Sequence, residues 1–168
     1  MVNRYTGDPR FLAMLSFLIC LHTGIPALAQ EDPLACAPAG EKYQTRVDKK
    51  GTIPKAASPG KALVYVMMPM QRFLFARFVS RSSLALKGKT VGVNVPGTVI
   101  HVEADPGVLR FCSRPDVGGK AAAQYIFLSV EAGRRYFIRN DLRLTELPES
   151  EGEKLLAKCK PVQFRIKN

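Results

Sequence analysis

Two apolar runs in the chain, residues 11–21 and 62–68, predict different things. In the second, Leu63, Tyr65 and Met67 alternate with Val64, Val66 and Met68, so both faces of an extended segment are apolar. Such a strand belongs in the centre of a sheet that is covered on both sides. From there to residue 139 short β-prone runs recur between turn residues, at roughly 8–12-residue intervals, the rhythm of an antiparallel sandwich. Residues 84–86 and 91–94 flank Lys87-Gly88-Lys89, which predicts a tight hairpin with Gly88 at a positive φ. Residues 98–103 lead into Asp105-Pro106-Gly107, the residue order of a type II turn, and residues 108–113 are expected to continue the sheet. After a looser stretch at 114–120, residues 124–130 and 134–139 flank Glu131-Ala132-Gly133 and read as a further hairpin.

The tail changes period. Ser150 and Glu153 have the spacing of a capping box ahead of Leu155, Leu156 and Ala157, which predicts a short helix over 151–158. Val162, Phe164 and Ile166 then alternate with Gln163 and Arg165 as a last edge strand. Upstream, residues 30–60 hold Pro33, Pro38, Pro54 and Pro59 around a charged middle at 41–50. They read as an extended N-terminal arm with room for one edge strand near 42–47. The expectation is an all-β antiparallel β-sandwich over residues 61–168, of about seven to eight strands, with one short C-terminal helix.

Residues 11–21 sit in another frame. Arg4 and Arg10 precede them, and Ala27-Leu28-Ala29 follows with small residues at the two positions a signal peptidase reads. That is the layout of a secretory signal peptide over residues 1–29, cleaved before Gln30. A membrane anchor needs about 18 or more uninterrupted apolar residues, whereas His22, Thr23, Gly24 and Pro26 end this run early. No transmembrane helix is expected in the mature chain. Cys20 follows Phe17-Leu18-Ile19 instead of a small residue, which argues against lipidation there. The expected location is periplasmic or extracellular.

Cleavage changes the composition that matters. Removing 29 of 168 residues leaves 139, the length of one domain. The removed piece carries two basic residues and one acidic residue, so 25 and 14 become 23 and 13, a net charge of +10. Such a charge favours anionic partners. Export selects an anionic envelope component or another envelope protein, and not chromosomal nucleic acid. Cys36, Cys112 and Cys159 then remain in an oxidising compartment, where one intramolecular bridge and one leftover thiol are possible. No Cys-x-x-Cys spacing exists, which argues against a zinc ribbon or a redox motif.

The order Gly60-Lys61-Ala62-Leu63-Val64-Tyr65-Val66, Gly88 with Val91-Gly92, Asp105-Pro106-Gly107 before Cys112, and Glu131-Ala132-Gly133 before Tyr136-Phe137 resembles bacterial exported proteins of the domain of unknown function 2846 family. The Glu151-Gly152 step before Leu155 is similar to that family's C-terminal segment, and the resemblance runs over residues 36–159. It implies a compact sandwich-like β domain without a recognised catalytic apparatus. It also implies a bridge between a cysteine just after the signal peptide and one after the Pro-Gly turn, here Cys36 and Cys112, with Cys159 a departure. The residues are compatible with that pairing. Alternation over 108–113 sets Leu109 and Phe111 on one face and Arg110 and Cys112 on the other, so an arm carrying Cys36 has an outer face to cross.

Candidate chemistry is sparse. His101 is the single histidine of the mature chain and shares a strand face with Val99 and Glu103, where Glu103 is expected to raise its pKa. Cys159 or Ser113 with His101 and Asp105 or Glu103 would make a small secreted hydrolase, the alternative reading, but no Gly-x-Ser-x-Gly elbow appears. Neither metal-ligand spacing nor a phosphate loop is present, since Gly118-Gly119-Lys120 lacks both the upstream Gly and the Ser/Thr. No cofactor, metal or catalytic residue is therefore assigned. The stretch with a distinctive composition is 72–83, where Arg72, Arg77 and Arg81 interleave with Phe73, Phe75 and Phe78. Guanidinium groups beside aromatic rings suit an anionic surface, so these six are the expected binding residues of a non-enzymatic exported module.

Overall fold

In the computed structural model, which describes Cys36 and residues 42–70, 81–115, 122–141 and 143–167, the apolar run at Ala62–Met68 (β2) is buried at every position. It lies inside a six-stranded sheet, antiparallel to Thr98–Ala104 (β5) and parallel to Arg135–Asn140 (β8). The order continues through Lys160–Lys167 (β10) to Lys42–Val47 (β1) on one side and Leu144–Leu147 (β9) on the other. A second sheet of four strands is ordered Lys89–Asn94 (β4), Ser82–Leu86 (β3), Gly107–Pro115 (β6), Gln124–Val130 (β7). The described strands all belong to the unit Asp32–Asn168. The fold is an all-β sandwich, with nine strands among the described residues of 61–168 where seven to eight were expected, and β1 in the expected place ahead of them. The short β9 is the element with no sequence signal.

Alternation along β2 divides the interior. Val64 and Val66 join Leu84, Ile100, Leu109, Phe111, Leu128 and Ile138 between the two sheets. Leu63, Tyr65 and Met67 face the other way, with Val99, Phe137 and Cys159, under Ile53, Ala57 and the helix residues Leu155 and Leu156. The helix, Glu149–Leu156 (α1), and the chain before β2 therefore form a cover over the larger sheet. Tyr65 fixes that cover by donating its hydroxyl to the Pro54 carbonyl at 2.5 Å.

Several local expectations hold. The β3–β4 hairpin turns on Lys87 and Gly88 at φ 50° and 79°, the pair of positive values a two-residue turn of this hand requires. Cys112 does face away from the core, opposite to Leu109 and Phe111.

Others do not. The segments around Glu131-Ala132-Gly133 are not a hairpin: β7 pairs with β6 in the smaller sheet, while β8 crosses to lie between β2 and β9. The reason is that Tyr136 and Ile138 pack between the sheets while Phe137 packs under the helix, so β8 needs cover on both faces. The Asp105-Pro106-Gly107 turn likewise carries the chain from one sheet to the other instead of continuing a sheet, with Gly107 at φ 131°. The last strand, β10, is interior between β1 and β5, and β1 takes the edge. The helix begins two residues earlier than predicted, with Pro148 at its N-cap and no side-chain cap bond. Glu153 reaches Arg135 on β8 at 2.7 Å instead of closing a capping box.

Candidate functional site

β1 and β10 pair antiparallel over six residues each, from Lys42 opposite Lys167 to Val47 opposite Val162. β10 meets β5 only through Lys160 opposite Thr98 and Pro161 opposite Val99. Beyond Pro161 the two strands run as a ribbon with a side of its own. Tyr43, Val47, Val162 and Phe164 alternate onto one face and are half-buried. The Tyr43 and Phe164 rings lie 5.4 Å apart, and the Tyr43 hydroxyl is 3.2 Å from Thr90 Oγ1 on β4, so this face leans on the smaller sheet. Gln44 opposite Arg165 and Arg46 opposite Gln163 occupy the other face, and all four are exposed.

Charge is segregated onto this ribbon. Residues 42–50 and 160–167 hold seven basic residues and one acid, Asp48, a net +6 out of +11 for the whole chain. Asp48 is occupied: Oδ1 accepts the amides of Lys50 and Gly51 at 3.1 and 2.8 Å, and Oδ2 accepts Gln163 Nε2 at 2.9 Å. It shapes the turn after β1 and ties it to β10. The ion pairs among the described residues lie elsewhere: Lys61 with Asp105, Arg134 with Glu131, Arg135 with Glu149 and Glu153, and Arg139 with Asp141. A surface where cations are concentrated and acids are committed to structure presents a positive field to an approaching anion.

The patch expected from the sequence is placed only at one end. Arg81 stands exposed just before β3, and Arg72, Phe73, Phe75, Arg77 and Phe78 lie outside the described residues. The ribbon was missed because its two halves are distant in sequence: the Gln163–Asp48 bond spans 115 residues. The available signal is the basic character of both 42–50 and 160–167, which only strand pairing unites.

His101 sits on β5 opposite Tyr65, exposed, with Val99 on the same face and Ile100 between the sheets. Desolvation pushes its pKa down, and the Glu103 carboxylate opposes this without prevailing, contrary to the expectation that Glu103 sets the direction. Both Glu103 oxygens accept the Ser58 hydroxyl, at 2.9 and 2.8 Å, and Oε1 also accepts the Ser58 amide. Asp105 is held by Lys61 at 2.6 Å. Ser113 is buried in the smaller sheet, donating to Asn140 Oδ1 at 2.8 Å and touching the Ser82 hydroxyl. The Cys159 thiol is buried among apolar side chains, which pushes its pKa up to about 11. Each partner offered for His101 thus has another task or is held in its neutral form.

Cys36 and Cys112 form a disulfide, with Cα atoms 5.4 Å apart, and both are buried beside Ala85 and Ala123 on the outer face of the smaller sheet. The bridge fastens the chain to β6 six residues before β1 starts, so it holds the entrance of the ribbon. Two open clefts, of about 310 and 390 Å³, lie near α1. Their lining includes Arg139 with Asp141 and Arg135 with Glu149, charges already paired with one another. No helix among the described residues is long and apolar enough to cross a membrane. No family model matches the chain, and no curated protein or solved structure matches it significantly.

Proposed function

We propose that the protein is an exported, non-enzymatic β-sandwich that binds an anionic component of the bacterial envelope, and that the β1–β10 ribbon is its contact surface. The resemblance to exported proteins of the domain of unknown function 2846 family belongs to this reading, as does the signal peptide over residues 1–29. The observation that carries the contact surface is the charge segregation: seven bases against one committed acid on two paired strands and the turn that follows β1. Arg46 and Arg165 supply planar guanidinium groups suited to phosphate or carboxylate, and Lys49 and Lys50 extend the positive surface past the end of β1. The patch at 72–81 is a second positive element of the same chain, and Arg81 is its described member.

Vesicles containing anionic phospholipid, and immobilised heparin as a soluble polyanion, test the reading. Replacing Arg46, Lys49, Lys50 and Arg165 by neutral glutamine removes four exposed charges. At about 1 kcal/mol per basic residue near an anionic surface, vesicle affinity falls by about 4 kcal/mol, roughly a thousandfold. Retention should weaken steeply with salt in the native protein. Unchanged retention of the fourfold variant refutes the ribbon, and a parallel variant with Arg72, Arg77 and Arg81 reversed reports whether the second patch shares the binding.

A further inference from the structure

We infer that Arg46 and Arg165 form a two-guanidinium clamp for a phosphomonoester, presented as the headgroup of a membrane surface. The inference rests on the ribbon reading above and names the anion that the ribbon selects. Register sets Arg46 opposite Gln163 and Gln44 opposite Arg165. The two arginines therefore hold diagonal positions on one face, with Cα atoms about 7–8 Å apart, a gap that long side chains bridge. Both are exposed. Among the described residues the arginines engaged in ion pairs are Arg134, Arg135 and Arg139, so neither guanidinium of the ribbon is neutralised by an acid. Asp48, two residues beyond Arg46, is committed to the amides of Lys50 and Gly51 and to Gln163 Nε2. Its hold on Gln163 engages the side chain that stands opposite one arginine and two residues from the other. Two unpaired cations this close repel each other, and an anion between them turns the repulsion into attraction.

Charge and donor count choose that anion. A carboxylate or a phosphodiester carries a single charge and two terminal oxygens, which one guanidinium fork satisfies bidentately. Two forks supply twice as much, and Gln44 stands exposed opposite Arg165 on the same face. A phosphomonoester offers three terminal oxygens and a charge of about −1.5 to −2 near pH 7, the match for two arginines. The source follows from the neighbouring cations. Lys49 and Lys50 are exposed beyond the end of β1, and a single small phosphate held between the arginines leaves them unused. A surface bearing many headgroups meets all four cations together, and their attractions to it add.

Vesicles of phosphatidate and of phosphatidylglycerol, each diluted in neutral lipid to the same measured zeta potential, test it on the disulfide-bonded protein. The first lipid ends in a monoester and the second contains only a diester. The native protein should bind phosphatidate vesicles about tenfold more tightly. Arg46→Lys and Arg165→Lys keep the charge and remove the fork. Each should bring the ratio of the two affinities to within about twofold of unity, with phosphatidylglycerol binding and circular dichroism unchanged. Equal affinity of the native protein for the two vesicles, or a preference that survives both lysine variants, overturns the inference. Displacement from phosphatidate vesicles by inorganic phosphate at the headgroup concentration identifies soluble phosphate as the ligand and overturns the membrane source. The glutamine variant of Arg46, Lys49, Lys50 and Arg165 separates the clamp from the ribbon. If it releases both vesicles while the native protein shows no preference, the clamp falls and the ribbon stands; if it stays on both, the ribbon falls and takes the clamp with it.

Discussion

Gly152 is the one residue of α1 that is fully covered, and its substitution by alanine is a direct test of how the helix sits on the sheet. A Cβ at that position would fall 2.2, 2.4 and 2.6 Å from Cγ, Cβ and Cδ1 of Phe137. Carbon atoms in ordinary contact are about 3.5–4.0 Å apart, so helix and ring must separate by more than ~1 Å. Phe137 cannot yield easily, because it is buried and stacked on Tyr65 with ring centres 5.1 Å apart. The helix is the part that moves, loosening Leu155 and Leu156 from the cluster and the Arg135 contacts with Glu149 and Glu153. Removing a glycine from a helix interior favours folding by about 1 kcal/mol. Overpacking costs about 1–3 kcal/mol, and a displacement of this size belongs at the upper end. The net expectation for Gly152→Ala is a loss of about 2 kcal/mol, or roughly 6 °C in Tm for a domain of this length. Urea and thermal denaturation followed by circular dichroism measure it. Ser150→Ala, at an exposed position without a cap bond, should stay within about 0.5 kcal/mol of the native protein. A Gly152→Ala protein as stable as the native one, or more so, refutes the close approach of helix and strand.

Two further outcomes follow from the cysteines. Breaking the Cys36–Cys112 bridge by Cys112→Ser frees a loop whose ends are 76 residues apart, which in the chain-entropy account lowers stability by about 4 kcal/mol; urea midpoints with and without reductant check this, and near-equal midpoints would contradict it. Burial holds the Cys159 thiol at about 11 against an ordinary value near 9, so the unfolded chain ionises first. Stability contributed by the neutral thiol is complete below pH 9 and is lost between 9 and 11, a decline that Cys159→Ala should flatten.

How far the sequence reveals this fold depends on the range of the interaction concerned. The both-faces-apolar pattern of β2 and the Lys87-Gly88 turn are local facts, and both appear where the pattern put them. Sheet assignment is not local. Glu131-Ala132-Gly133 is a competent turn, yet the backbone on either side is claimed by a different strand: Gly133 donates its amide to the Lys61 carbonyl and Leu63 donates to that of Arg134. The approach of β8 to β2 decides the crossing, and a turn motif carries no information about it. The same holds for the capping spacing of Ser150 and Glu153, because Glu153 is taken by Arg135 of β8, eighteen residues away in sequence. A nearby guanidinium is a stronger partner for a carboxylate than the backbone amide a capping box offers.

The candidate site illustrates the same limit with charge. Arginines interleaved with phenylalanines within 72–83 are conspicuous because they are contiguous, whereas the basic ribbon is divided between 42–50 and 160–167 and reads in each half as an ordinary solvated run. Antiparallel pairing doubles the charge density by bringing Gln44 and Arg46 opposite Arg165 and Gln163, and Asp48, the one acid, is consumed in holding the two halves together. The disulfide enters the same logic. It lies on the far face of the smaller sheet, yet it anchors the chain six residues ahead of β1, whose other attachments in register are all to β10. If the ribbon is the contact surface, reduction of Cys36–Cys112 should therefore weaken anion binding as well as stability, because an edge strand released at its entrance no longer holds Arg46 against β10.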